Sequence, residues 1–81
     1  MELPLSALAR DERAYIRRVG GKPDMARRLA QLGLLPGTQI TCELISPAGD
    51  PAAYRVRGTL IALRRADAGA VTVAPCGERK A

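Results

Sequence analysis

Only one segment of this 81-residue chain carries the pattern of an α-helix, and it runs from Pro23 to Leu32. A proline suits the first turn of a helix, where its missing N–H has no intrahelical partner to lose. Within the segment, Met25, Leu29 and Leu32 recur at helical spacing and predict one buried stripe. Gly33 follows directly and is able to end the helix in the left-handed conformation. Because no second helix is indicated, most of the fold must come from strands.

Short strands separated by turn residues account for the rest of the pattern. Alternating apolar residues predict about five strands, over residues 14–19, 39–44, 52–57, 61–63 and 71–73. Which face of the first strand points inward is left open, because arginine occurs at both odd and even positions of the strand. Elsewhere Ile40, Cys42 and Leu44 are expected to face inward, whereas Arg55 and Arg57 share an outward face. The sequence therefore predicts a mainly β fold, a small SH3-like barrel with one short inserted helix.

The length of the chain and its shortage of aromatic residues set the size and make-up of the core. A chain this short buries one modest core. Residues 1–76 are therefore predicted to form a single domain, and residues 77–81 a flexible C-terminal tail. Tyr15 and Tyr54 are the only aromatic residues, so packing must rest on aliphatic side chains. The same shortage argues against binding of single-stranded nucleic acid, which relies on aromatic stacking.

The residues needed for catalysis or metal binding are largely missing. The chain has no histidine, the commonest general base, and its acidic residues are scattered. Cys42 and Cys76 form no CxxC pair, and Cys42 is expected to be a buried thiol rather than a nucleophile. No glycine-rich phosphate loop occurs. We therefore predict no catalytic residue, no cofactor-binding residue and no metal site, and hence a protein that is not an enzyme.

Targeting signals are also missing from the sequence. The first residues show no basic segment followed by an apolar run, which a signal peptide requires. No stretch approaches the roughly 20 apolar residues of a membrane-spanning helix. The expected location is the cytoplasm, with both thiols reduced and no direct insertion into a membrane.

The surface is expected to be basic and to carry apolar residues beside turns. The net charge is +5, mostly from arginine, which fits an acidic partner, although solubilising charge is the plainer interpretation. Leu34, Leu35 and Leu60 either add core contacts or form an apolar centre within a basic rim. The candidate partner-binding residues are Arg27, Arg28, Leu35, Arg55, Arg57 and Leu60.

The run from Gly21 to Thr38 resembles the signature of the FeoA family, small cytoplasmic accessory proteins of bacterial ferrous iron uptake. It combines the predicted helix, a Leu-Gly ending and a Leu-Pro-Gly-Thr turn. Residues 48–51, 54–58 and 62–65 agree with the same pattern, and the resemblance covers about residues 3–73. Lys22 departs from it, because the family often has an acidic or small polar residue before the helix proline.

The resemblance implies an SH3-like barrel that binds FeoB, a membrane permease bearing a cytoplasmic GTPase domain, and that modulates its activity or assembly. It implies no cofactor, and it implies recruitment to the inner face of the membrane through FeoB. It leaves open whether the protein forms homo-oligomers. The alternative function is that of a small basic barrel that binds nucleic acid, and the shortage of aromatic rings makes this partner the weaker of the two.

Overall fold

The structure, a computed structural model, describes residues 1–76, so the predicted tail at 77–81 lies outside it. None of the helices in this part of the chain is long and apolar enough to cross a membrane. The described residues form six strands, two α-helices and one 3₁₀ turn. In chain order, these are β1 (Leu3–Pro4), the 3₁₀ turn (Leu5–Ala7), β2 (Arg13–Val19), α1 (Pro23–Gln31), β3 (Gln39–Ile45), β4 (Ala52–Val56), β5 (Thr59–Leu63), α2 (Arg65–Ala68) and β6 (Val71–Pro75).

All six strands belong to one antiparallel sheet, in the order β1-β6-β2-β3-β4-β5. The prediction of a mainly β fold is confirmed, with six strands in place of about five and a second, four-residue helix, α2, beside the one predicted. β1 escaped the pattern because its two residues, Leu3 and Pro4, are too few to show alternation. The order leaves β1 and β5 as the two edges, so the sheet is barrel-like but does not close.

The core is aliphatic, as the shortage of aromatic rings requires. Tyr54 is the one buried aromatic ring of residues 1–76, and no charged side chain is buried in that part of the chain. Each buried leucine, isoleucine or valine stabilises the fold by about 1.5–3 kcal/mol relative to an exposed one. The largest fully buried aliphatic side chains are Leu5, Ile16, Leu29, Leu34, Ile40, Val56, Val71 and Val73.

Helix α1 stops one residue before Leu32, in a Schellman motif. The Gly33 N–H donates to the Ala30 carbonyl at 3.0 Å, with Gly33 at a φ of +106°. The Leu34 N–H donates to the Leu29 carbonyl at 2.9 Å, and both leucine side chains are buried. The motif turns the chain so that Leu34 continues the buried stripe. Leu32, which the helical spacing predicted to be buried, is therefore 45% exposed.

Strand β3 contains a bulge that corrects a second prediction. Cys42 pairs with Tyr54 and Leu44 pairs with Ala53, so Glu43 is an extra residue on this strand. The extra residue shifts the alternation by one position. Leu44, predicted to face inward, is consequently 52% exposed, whereas Cys42 before the bulge is fully buried as predicted.

The short helix α2 is held in place by the loop that precedes β4. The Asp50 carboxylate in this loop accepts the Arg65 N–H at 2.8 Å and caps the helix from a distant part of the chain. Ser46 closes the same loop by donating its hydroxyl to the Pro51 carbonyl at 2.7 Å. These two bonds hold the loop against the start of α2, which follows β5 directly.

Candidate partner-binding surface

The hairpin of β4 and β5 brings together three of the six candidate residues. Arg55 and Leu60 are direct cross-strand partners on the outer face of the sheet, and Leu60 is about half exposed. The opposite face of β4 carries the buried side chains of Tyr54 and Val56. Arg57 lies in the two-residue turn that joins the strands, because β4 ends one residue earlier than predicted.

An apolar strip lies beside Arg55 on the same outer face. The bulge in β3 sets Leu44 opposite Ala53, and Ala53 is opposite Ala62 on β5. Ala62 and Leu60 share one face of β5 because side chains alternate along a strand. These four residues form a continuous apolar surface across three strands, with an exposed leucine at each end, and we refer to them as the outer strip.

Glu43 limits the charge that Arg55 offers to a partner. The Arg55 Nε lies 3.1 Å from the Glu43 Oε2, and the same guanidinium donates to the Gly58 carbonyl at 3.4 Å. Both side chains remain well exposed, so this ion pair contributes less than about 1 kcal/mol to stability. Arg55 is therefore held along the outer face with part of its charge offset.

Arg57 adopts a backbone conformation that its side chain disfavours. Its φ is +52° and that of Gly58 is +81°, the left-handed pair that a tight hairpin turn of this length requires. Asn, Asp and Gly are the usual residues at the first of these positions, because a larger side chain is crowded there. The sequence thus keeps a cation at a position where the backbone favours a smaller residue.

The stem of Arg57 packs against Gly33 at the end of α1. A Cβ on Gly33 would lie 3.1 Å from the Arg57 Cδ, so the glycine leaves the room that the stem occupies. The contact joins the hairpin turn to the C-terminal end of the helix. A cation is favoured there because the helix dipole is negative at that end.

The other three candidate residues lie on α1 and in the turn that follows it. Arg27 pairs with Asp24 one helical turn earlier, at 3.6 Å between its Nη1 and the Oδ1. Arg28 lines an open cleft beside Met25. Leu35 is 44% exposed and follows Gly33, whose surface the Arg57 stem contacts, by two residues in the chain.

The candidate residues therefore divide into two groups. Four of them lie on or beside the hairpin turn, namely Arg55, Arg57, Leu60 and Leu35. Within residues 1–76, no hydrogen bond or ion pair connects Arg27 or Arg28 to the hairpin. The candidate residues on β4, β5 and their turn are thus close together, whereas Arg27 and Arg28 on α1 form a separate group.

Two exposed leucines were missed by the sequence pattern. For Leu32 a signal was present, because a glycine directly after it favours a helix end at that point. For Leu44 there was none, since the bulge residue Glu43 is not marked by glycine or proline. Both leucines enlarge the apolar part of the surface, one beside Gly33 and one in the outer strip.

The titratable side chains of the core are held in their neutral forms. Burial raises the pKa of the Cys42 thiol, and the nearby Asp11 carboxylate raises it further. Burial also raises the pKa of Tyr54 to about 12, with smaller contributions from Cys42 and Asp50. A thiol with a raised pKa is a poor nucleophile and a poor metal ligand, so Cys42 serves packing.

The described residues form open clefts but no cluster of metal ligands. Among residues 1–76, no three or more Cys, Asp or Glu side chains come together in a group able to hold a metal ion. The open cleft beside Met25 has a volume of about 510 Å³, within the usual range of small-molecule sites, whereas a second cleft, of about 200 Å³, is smaller than that range. The residues lining this second cleft are Ser6, Leu8, Ile45, Gly49, Ala52, Tyr54 and Arg65. Exposed leucines, among them Leu35, Leu44 and Leu60, are the other notable feature of the described surface.

Comparison with known proteins gives a consistent result. The FeoA domain model matches residues 3–75. The Fe(2+) transport protein A/Fe(2+) transporter FeoB fusion protein of Porphyromonas gingivalis (strain ATCC BAA-308 / W83) is 35% identical over 69 residues, which is 85% of this chain. The chain spans only 8% of the length of that fusion protein.

Solved structures show the same fold. The FeoA protein from Chlorobium tepidum has a TM-score of 0.88 at 34% identity, over 91% of this chain and 70% of that one. Stenotrophomonas maltophilia FeoA complexed with zinc has a TM-score of 0.79 at 32% identity, over 88% of each chain. The latter is described as an SH3 domain protein, which confirms the predicted fold. The match over residues 3–75 and these relatives show that the chain belongs to the FeoA family.

Proposed function

We propose that this chain is an accessory protein of bacterial ferrous iron uptake that binds the cytoplasmic part of a FeoB-type permease and modulates its activity or assembly. The observation that carries the proposal is the Porphyromonas gingivalis fusion, in which a segment similar to this chain is covalently joined to a FeoB transporter. A covalent link raises the effective concentration of one module near the other. Such a link supports a working contact between the two modules.

The contact surface that we propose comprises the six candidate residues, Arg27, Arg28, Leu35, Arg55, Arg57 and Leu60. Leu35, in the turn after α1, and Leu60, on β5, supply exposed apolar area. Arg57 lies between the helix end and the hairpin, and its stem is already ordered by Gly33. An ordered arginine beside exposed leucines matches the composition of protein interfaces, which are rich in arginine and apolar at the centre.

Nucleic acid is a weaker fit to this surface. The positive charge alone would suit a phosphate backbone. Tyr15, however, is the one exposed aromatic ring of residues 1–76, whereas proteins that bind single-stranded nucleic acid stack successive bases on several rings. A protein partner with acidic groups around an apolar patch therefore accounts for more of the surface.

The test is a calorimetric titration of the purified protein with the cytoplasmic domain of FeoB from the same organism. A parallel titration with an unstructured RNA, at low and at physiological salt, serves as the comparison. We expect saturable binding to the FeoB domain at both salt concentrations. Salt-sensitive binding to RNA without binding to FeoB would overturn the proposal in favour of the nucleic-acid function.

Kinetic measurements on variants locate the surface. Arg27→Glu with Arg28→Glu should slow association several-fold and change its salt dependence, because exposed charges act mainly on the rate of encounter. Reversal of Arg17 and Arg18 makes the same change in net charge on β2 and should have a smaller effect. Leu35→Ala should instead speed dissociation about tenfold, as expected for a central apolar contact. Equal effects of both double reversals would exclude α1 from the contact surface.

A further inference from the structure

Strand β5 has an open backbone edge. It pairs with β4 alone among the described strands. The first pair next to the hairpin turn is Val56 with Thr59, and the last is Ala52 with Leu63. In a hairpin with a two-residue turn, the residues flanking the turn exchange hydrogen bonds, and every second residue after them does the same. The N–H and C=O groups of Leu60 and Ala62 therefore point away from β4. No other hydrogen bond reaches these groups within residues 1–76.

The edge lacks the features that usually block strand pairing. Natural edge strands are interrupted by charged side chains, prolines or bulges, or are very short. β5 consists of Thr-Leu-Ile-Ala-Leu, pairs without a bulge over its whole length and carries no charge. Leu60 and Ala62, whose backbone groups are free, are also exposed. Such an edge can receive a further strand from another molecule.

Cations stand at both ends of this uncharged edge. Arg57 precedes β5 in the hairpin turn, and Arg64 and Arg65 follow it directly. All three are exposed, and none is paired with a carboxylate of residues 1–76. In an antiparallel pairing of two copies that joins Leu60 to Ala62, Arg57 of one copy would face Arg65 of the other. This repulsion disfavours a second copy as the occupant.

An acidic segment would meet cations at both ends of the same edge, and the one carboxylate of the described residues bonded there, that of Asp50, is held by the Arg65 N–H. An extended chain laid along β5 would exchange backbone hydrogen bonds with Leu60 and Ala62. Its apolar side chains would pack against Leu60 and Ala62 of the outer strip, and carboxylates before and after them would meet Arg57 at one end and Arg64 and Arg65 at the other. Charge complementarity at both ends would fix the register of the added strand.

We propose that β5 accepts an extended segment of the transporter partner, with alternating apolar residues and acidic residues at both ends, as a seventh strand of the sheet. This inference rests on the proposed function, because it takes the segment to be part of the FeoB-type protein. It adds the mode of binding and the chemistry of the segment that binds.

Amide hydrogen exchange measured by NMR tests the mode of binding directly. In the free protein, the amides of Leu60 and Ala62 should exchange rapidly, whereas that of Ile61 should be protected by β4. Addition of the purified cytoplasmic domain of FeoB should slow exchange at Leu60 and Ala62 at least tenfold. Binding that leaves both amides unprotected would overturn the added strand while the proposed function stands. Absence of binding would overturn both.

Two pairs of variants separate hydrogen bonding from packing and charge. Ala62→Pro removes one N–H from the free edge and should weaken binding at least tenfold. Ala62→Val keeps the N–H and should weaken binding far less. Arg64→Glu with Arg65→Glu should weaken binding more than Arg17→Glu with Arg18→Glu. Circular dichroism verifies that each variant is folded, and similar affinities for the proline and valine variants would contradict the proposal.

Discussion

β1 and β5 are the two edges of one sheet, and they differ in length, chemistry and surroundings. β1 has two residues, one of which is Pro4, and it runs directly into a turn whose Leu5 is fully buried. Glu2 beside it pairs with two arginines of β2, at 3.2 and 3.7 Å. β5 has five uncharged residues and a free row of backbone groups. The edge at β1 is thus held to the core, whereas the edge at β5 has unpaired backbone groups.

Under the binding mode that we propose, stability and recognition are assigned to separate ends of the same sheet. Proteins usually protect a long edge strand, because it invites unwanted pairing. Here protection is given to the edge that needs it least, the two-residue β1. The exposed edge is instead flanked by cations, which oppose self-pairing and leave pairing with an acidic segment open. Four measurements test this comparison, and they are given from the largest expected effect to the smallest.

Leucine truncation at the two edges should have very different consequences. Leu5→Ala removes a fully buried side chain next to β1 and should lower the free energy of unfolding by about 2–5 kcal/mol. Leu60→Ala, at the half-exposed position of β5, should lower it by less than about 0.5 kcal/mol. Urea unfolding followed by circular dichroism gives both values. Similar losses at the two positions would show that the outer face of β5 contributes as much to stability as the region next to β1.

Alkaline pH should destabilise the protein through Tyr54, which lies on the buried face opposite β5. Its pKa is about 12 in the folded chain and about 10 in an unfolded one, so the folded state retains a proton that the unfolded state loses. This contribution to stability, on the order of 2 kcal/mol, is complete below pH 10 and is lost as the pH rises toward 12. Unfolding measured at intervals from pH 9 to 11 should show the decline.

Two tyrosine variants distinguish this effect from general alkaline denaturation. Tyr54→Phe should reduce the decline to the part contributed by the Cys42 thiol, whose pKa burial also raises, because the Tyr54 hydroxyl is gone. Tyr15→Phe, at an exposed ring on β2, should retain it. If both variants decline like the parent protein, the buried face beneath β5 is not the cause.

The turn before β5 should gain stability when its arginine is replaced. Arg57→Asn suits the left-handed conformation better and should raise the free energy of unfolding by about 0.5–1 kcal/mol. Arg55→Asn makes the same chemical change in regular strand conformation and should not stabilise. Thermal melting of both variants checks this. A loss at Arg57 would mean that the stem packing on Gly33 outweighs the backbone strain.

Salt should promote weak self-association through β5. Repulsion between the arginines at the ends of the edge is screened at high ionic strength, so pairing of two copies should strengthen by up to about 1 kcal/mol between 0.05 and 0.5 M salt. Sedimentation velocity at high protein concentration measures this change. Leu60→Lys adds a charge to the edge and should suppress association at both salt concentrations. Association unaffected by this variant would point to another surface.

The sequence was sufficient for the parts of the fold that depend on repeated local patterns. The helix, its glycine ending and the inward residues of β4 and β5 follow from spacing alone, and so does the aliphatic core. The resemblance over residues 21–38 was sufficient for the family. The outward orientation of Arg55 and Leu60 was predictable for the same reason, since both lie in strands that alternate without interruption.

The parts that could not be predicted depend on single residues that change the register. In β2, Arg17 is an extra residue. Arginine therefore occurs at both odd and even positions of this strand, and its inward face could not be predicted. In β3, Glu43 has the same effect and turns Leu44 outward. The contact of Arg57 with Gly33 joins residues far apart in the chain, and no local pattern encodes it. The free edge of β5 is a property of strand order, which only the folded chain shows.

The bulge at Glu43 reverses the inward and outward alternation of side chains for the rest of β3. Every residue after it in β3 faces the other way, but the strand ends two residues later, so the shift affects only Leu44 and Ile45. If the same residues paired without the bulge, Leu44 would face inward and one end of the outer strip would be lost without any substitution. The position of the bulge in β3 therefore decides whether the outer strip includes this leucine, whatever the surrounding side chains are.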